Sequence, residues 1–207
     1  MKMKIAGLVV GSLLTAAPAF AQQGTAPAAA QGTATAPAAA PAGEEAKPAD
    51  AKPAFTPTDP QIAAIVMAAN QVDIDAAKMA KGKTKNKAVK QFAETMIRDH
   101  SAVNKEVKAL AKKTKMKPED NTNSKNLTGA GKQSMTDLKK KKGADFDKAY
   151  VDNEIAYHQQ VIDVINNTLI PAAQNADLKA MLTRVAPAIQ AHLDHAKKLQ
   201  GELAEAK

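Results

Sequence analysis

The chain has no cysteine and no tryptophan, and only two tyrosines and four phenylalanines in 207 residues. Without cysteine there are no disulfides, no thiolate metal ligands, no cysteine nucleophile and no lipid-modified cysteine anchor. Arginine is nearly absent: Arg98 and Arg184 stand among 29 basic residues that are otherwise lysine. Base stacking draws on aromatics and bidentate base readout on arginine, so the composition argues against nucleic acid. No segment alternates like a strand, no glycine-rich loop could cradle phosphate, and no serine-centred nucleophile motif occurs. Nothing points to a catalysed reaction, although a metal with an open position could carry oxygen or peroxide chemistry.

The apolar runs are short as well. Ile5 to Leu14 is too brief for a membrane span, but Lys2 and Lys4 precede it and Ala19-Phe20-Ala21 follows. That order describes a secretory signal peptide over residues 1–21, so the mature chain is expected in the periplasm or associated with the outer membrane, with no transmembrane span. Residues 22–57 are Ala/Pro-rich, with Pro27, Pro37, Pro41, Pro48, Pro53 and Pro57, and read as a disordered or extended linker. Residues 58–207 are left for one domain. The formal charge is +8, and removing Lys2 and Lys4 with the leader leaves +6. That excess suits anionic envelope components, or it is a solvated lysine surface.

Within the domain, four stripes step by threes and fours along the chain. They are Ile62-Val66-Ala69-Asp73-Ala76-Ala80, Met96-His100-Val103-Val107-Leu110, Val151-Ile155-His158-Ile162-Ile165-Leu169, and Leu178-Leu182-Val185-Ile189-His192-Ala196-Leu199. Such spacing puts each set on one face of an α-helix. The first helix is expected to start with Asp59 as cap and Pro60 in its first turn, and to end at Gly82. The second is expected over about 86–115, the third over about 144–169 with a stop before Pro171, and the fourth over about 176–205 with Pro187 inside. The polar run from Glu119 to Lys125 reads as a long connection, and a short helix near Met135 and Leu138, closed by Gly143, bridges it. The result is an all-α four-helix bundle made of two helical hairpins joined by a crossover.

Each stripe is interrupted by one polar residue: Asp73, His100, His158 or His192. Packed together, they would face one interior. Neutral imidazoles suit zinc, copper or iron, a carboxylate offsets charge and also suits manganese, and three histidines with one aspartate form a plausible metal site. Asp99, Glu154 and Tyr157 could orient those ligands, and His195, one turn from His192 but off the stripe, reads as a supporting ligand at the rim or as simply exposed. The competing reading is a metal-free polar core, in which Asp73, Glu154, Tyr150 and Tyr157 satisfy the histidines and the protein serves a structural or stress role in the envelope. The levels do not match well. At about 1.5 Å per residue, Asp73 lies roughly 14 Å before the first turn and His100 roughly 21 Å after it. His158 and His192 are offset similarly, at roughly 18 and 24 Å.

Met96-Ile97-Arg98-Asp99-His100, then Phe146-Asp147-Lys148-Ala149-Tyr150 with His158 downstream, then Ala186-Pro187 and His192-Leu193 follow in that order. Together they resemble a family of exported bacterial proteins of unknown function, often labelled outer membrane proteins, over about residues 59–199. The resemblance implies a ferritin-like four-helix fold and export, and it implies no reaction. A glutamate commonly stands in that family where this chain has Asp73. A ferritin di-iron centre takes Glu-x-x-His from two helices, and this chain has no Glu-x-x-His.

Overall fold

The computed structural model describes residues 55–205. The expected signal peptide, residues 1–21, and residues 22–54 of the expected linker lie outside the described residues. Helix α1 spans Asp59–Lys83, α2 Lys87–Lys113, α3 Thr122–Lys139, α4 Gly143–Val164, α5 Ile170–Ala172 and α6 Ala176–Glu205. A π-helical turn, Ile165–Leu169, joins α4 to α5. The described residues contain no strand, in keeping with the missing alternation, and none of their helices is long and apolar enough to cross a membrane.

Several boundaries differ from expectation. Thr58, not Asp59, precedes α1 as its cap, and its N–H donates to Gln61 Oε1 at 3.2 Å. Asp59 is the first helical residue, and its carboxylate accepts the N–H groups of Gln174 and Asn175, each at 2.9 Å. It thereby ties the start of α1 to the link before α6. Gly82 lies inside α1, one residue before its end. Asn86 caps α2 by accepting from Ala88 N–H and Val89 N–H.

The crossover helix is much longer than expected. Asn121 Oδ1 accepts from the N–H groups of Asn123 and Ser124, so the polar run that reads as loop becomes the first turn of an 18-residue helix. Gly131 on α3 lets it approach α1 closely: a Cβ there would lie 2.6 Å from a methyl of Val72. Gly143 opens α4 with φ +52° instead of closing the short helix. Nor does Pro171 stop the helix at Leu169. The chain widens into the π turn, where Ile170 N–H reaches back to Ile165 O, and adds one more helical turn containing the proline. The wider turn accommodates a residue that lacks an N–H. Pro187 sits inside α6, which stays one helix.

Helix α1 packs along α2, α3 and α4, and α6 packs along α4 and α2. The apolar core falls into two clusters. One gathers Ile62, Val66, Val107, Ile162, Leu169, Leu178, Leu182 and Ile189. The other gathers Ala76, Phe92, Met96, Phe146, Tyr150, Val151, Ala196 and Leu199. On each of α1, α2, α4 and α6 a polar residue falls between the two: Asp73 on α1, His100 on α2, Glu154 and His158 on α4, and His192 on α6. All five are buried. Burial of the apolar groups on both sides, worth about 25 cal/mol per Å², holds this polar layer out of water.

Candidate metal centre

The centre is built from side chains of four helices. His100 Nε2 lies 3.3 Å from Asp73 Oδ2, and His158 Nε2 lies 3.4 Å from the same oxygen. One ring nitrogen from each of His100, His158 and His192 lies within 4.8 Å of the others. Their ring centroids are 5.3–5.6 Å apart. The offset in level is absorbed by side-chain direction. Helical side chains lean towards the N-terminus of their helix. In each hairpin the partner farther from the turn belongs to the second helix and leans back towards the turn. The nearer partner belongs to the first helix and leans away from it. Both leanings close the gap.

Each imidazole is oriented by a hydrogen bond on its far side. His100 Nδ1–H donates to Asn70 Oδ1 at 2.7 Å, and the Asn70 amide is itself oriented by donating to Asn104 Oδ1 at 3.1 Å. His158 Nδ1–H donates to the Glu154 carbonyl at 2.9 Å. His192 Nε2–H donates to Asp99 Oδ2 at 3.0 Å, an acceptor that fixes the tautomer. The remaining nitrogens, His100 Nε2, His158 Nε2 and His192 Nδ1, are buried lone pairs with no hydrogen-bond partner. Both oxygens of Asp73 and of Glu154 are in the same condition, with no hydrogen bond of proper geometry reaching them.

Electrostatics follow from burial. It pushes the Asp73 carboxyl up to about 8. It pushes His100 down to about 3, helped by His158 and His192, and His158 down to about 4. His192 is lowered for the same reason, against the pull of Asp99. Glu154 is raised well above the carboxylate range by burial and then by Asp73. At neutral pH the imidazoles are therefore uncharged and Asp73 holds a proton, so the short Asp73–histidine distances are not ion pairs. Asp99 stays ionised, held low by the Arg98 guanidinium at 2.7 Å.

The other expected residues fall in different places. Asp99 contacts His192 directly. Glu154 is 1 % exposed, and its Oε2 lies 3.6 Å from His158 Nδ1, closer to the centre than an orienting role requires. Tyr157 donates to the Ala69 carbonyl at 2.8 Å rather than to a histidine, with its ring edge-on to His158. His195 is exposed and sets its ring against Phe92, and it does not join the converging groups. Sequence reasoning missed Asn70 and Asn104. The one available signal was Asn70 standing three residues before Asp73, close to its helical face.

The fold and the layer define a helical bundle with a buried histidine–carboxylate centre. Residues 44–199 match the family described as a domain of unknown function, DUF4142, and the chain belongs to that family. No curated protein and no solved structure matches the chain.

Proposed function

We propose that this is an exported helical-bundle protein, ferritin-like in its four-helix arrangement, that binds one transition-metal ion through His100, His158, His192 and Asp73. The observation that carries the reading is the convergence of lone pairs. The acceptor nitrogens of His100 and His158 face Asp73, a ring nitrogen of His192 lies near theirs, and the only ring hydrogens are already donated outwards. The single proton on Asp73 can serve at most one of these buried acceptors, whereas a cation satisfies all of them at once. The spacing agrees. Separations of 3.3 and 3.4 Å are long for a hydrogen bond. Ligands about 2.0–2.1 Å from a tetrahedral ion stand roughly 3.3–3.4 Å apart. Asn70, the Glu154 carbonyl and Asp99 supply the outer hydrogen bonds that metal-bound imidazoles need. Imidazole with carboxylate suits zinc, copper, iron or manganese.

The signal peptide expected over residues 1–21 supports export, and the motifs shared with exported proteins labelled outer membrane proteins support the same reading. The test is elemental analysis of protein purified from the periplasm without a histidine tag or chelator. Near-stoichiometric metal that disappears in His100→Ala/His158→Ala supports the reading. Protein with no metal, and no melting shift on adding any, refutes it.

Association with anionic envelope components is a second reading, favoured by one contact. Lys83 Nζ donates to the carbonyls of Lys139 and Lys141 at 2.8 and 2.9 Å. It thereby brings the lysines of residues 81–90 beside Lys139, Lys140 and Lys142 at one end of the bundle. Such a surface should hold the protein on anionic vesicles at low salt and release it at high salt.

A further inference from the structure

An ion held by three imidazoles and one carboxylate leaves a charge uncompensated. Imidazoles that bind through lone pairs contribute no charge, and Asp73 contributes one negative charge, so a divalent ion there keeps a net positive charge among buried side chains. Burying an uncompensated charge is strongly unfavourable. Another carboxylate stands beside the centre. Glu154 is 1 % exposed, and both of its oxygens lack hydrogen-bond partners. Its backbone carbonyl already takes the His158 Nδ1 hydrogen, so that ring does not satisfy the carboxylate.

The distances place the group beside two of the four proposed ligands. Carboxylate oxygens of Asp73 and Glu154 and a nitrogen of His158 lie within 4.8 Å of one another. Two ligands opposite each other on an ion with bonds of about 2.1 Å stand roughly 4.2 Å apart. A side-chain adjustment of Glu154 towards Asp73 brings it into coordination.

We infer that Glu154 is a fifth ligand, which makes the loaded centre electrically neutral and strengthens iron(II) and manganese(II) binding more than zinc(II) binding. Resting on the metal reading above, this adds a ligand and a preference to it. Three nitrogens and two carboxylates form a larger and harder donor set than a tetrahedral zinc site takes. Zinc can leave one carboxylate unused. Manganese(II) and iron(II), which draw more of their binding from oxygen, lose more without it.

The test compares full-chain mature protein with Glu154→Gln, which keeps the volume and removes the charge. Affinities for manganese(II) and zinc(II), and for iron(II) under anaerobic conditions, are measured by competition with a chelator, and bound ions are counted by elemental analysis. Expected is one ion per chain in both proteins. Manganese(II) and iron(II) affinity should fall about a hundredfold in the variant and zinc affinity by less than about tenfold. Equal losses for all three metals, or no loss, would overturn the inference while leaving the metal reading intact. Two ions per chain in the parent protein would overturn it too, by making Glu154 a ligand of a separate cation. No ion in either protein sinks the metal reading itself. Should the amide unfold the bundle, Glu154→Met offers an apolar side chain of similar size for the same comparison.

Discussion

Asp73 on α1 and His100 on α2 bring an oxygen and a nitrogen to 3.3 Å in a core where neither has a hydrogen-bond partner. Burial keeps the carboxyl protonated and the ring neutral at pH 7. Of the groups in the layer, only Asp73 lies within 3.5 Å of two ring nitrogens. Its charge is therefore the one a bound ion needs most.

Asp73→Asn keeps the shape and removes that charge. The variant should fold, melting within a few degrees of the parent in the absence of metal. In the parent, metal at a hundredfold excess over Kd should add about 2.7 kcal/mol of stability. Most of that gain should vanish in the variant. Thermal melts with and without added zinc or manganese read the difference, and an undiminished gain would remove Asp73 from the ligand set.

The pKa shifts set a pH dependence with opposing parts. Asp73, raised to about 8, keeps a proton that an unfolded aspartate releases near pH 4. Its contribution to metal-free stability is full below pH 4 and is lost as pH rises through 8. His100 and His158, lowered to about 3 and 4, contribute fully above pH 6.5 and lose that contribution as pH falls through those values. Between pH 7 and 8 the carboxyl slope dominates. From Asp73 alone metal-free protein should lose about 1 kcal/mol over that unit, and Asp73→Asn should remove that part of the loss. Metal binding displaces the same proton, so affinity should rise towards pH 8 by up to about tenfold per unit for each carboxyl that must give up a proton to bind. Urea titrations and metal titrations at pH 6, 7 and 8 measure both trends.

Asn70 and Asp99 act through the rings they hold. Asn70→Ala leaves the buried His100 Nδ1–H without an acceptor, which should destabilise the fold by about 1–3 kcal/mol. Asp99→Ala frees His192, whose outer edge is nearer solvent, and should cost little stability. Each variant should weaken metal binding by about 10–100-fold with the ion count unchanged. Calorimetric titration separates this outcome from loss of a ligand, which would lower the count.

Gly131 tests the docking of α3 on α1. A Cβ there would meet the Val72 methyls at 2.6 and 2.7 Å, so Gly131→Ala should destabilise the protein by about 1–3 kcal/mol. Adding Val72→Ala should recover much of that loss, because the crowding lies between these two residues. Denaturant unfolding of the single and double variants decides it, and additive losses would place the strain elsewhere.

Four helices, their inward faces and the polar interruption in each were legible from spacing alone, because a helical period of 3.6 residues assigns faces without reference to any neighbour. The start of α3 was not. Its polar first turn has no apolar period, and it forms because Asn121 caps it and α1 offers a surface close to Gly131. The helical turn around Pro171 was equally hidden, since the π turn that accommodates proline leaves no pattern in composition. For the centre, sequence determined which residues could face inward. Tertiary structure alone decided their level and their hydrogen-bond state. Counting residues left Asp73 and His100 roughly 7 Å apart along the axis, and only the opposed lean of side chains in an antiparallel hairpin closes that distance. Asn70, Asp99 and the Glu154 carbonyl then take the outward hydrogens. Which nitrogen of each imidazole faces the centre as a lone pair depends on those contacts, and a sequence read residue by residue does not contain them.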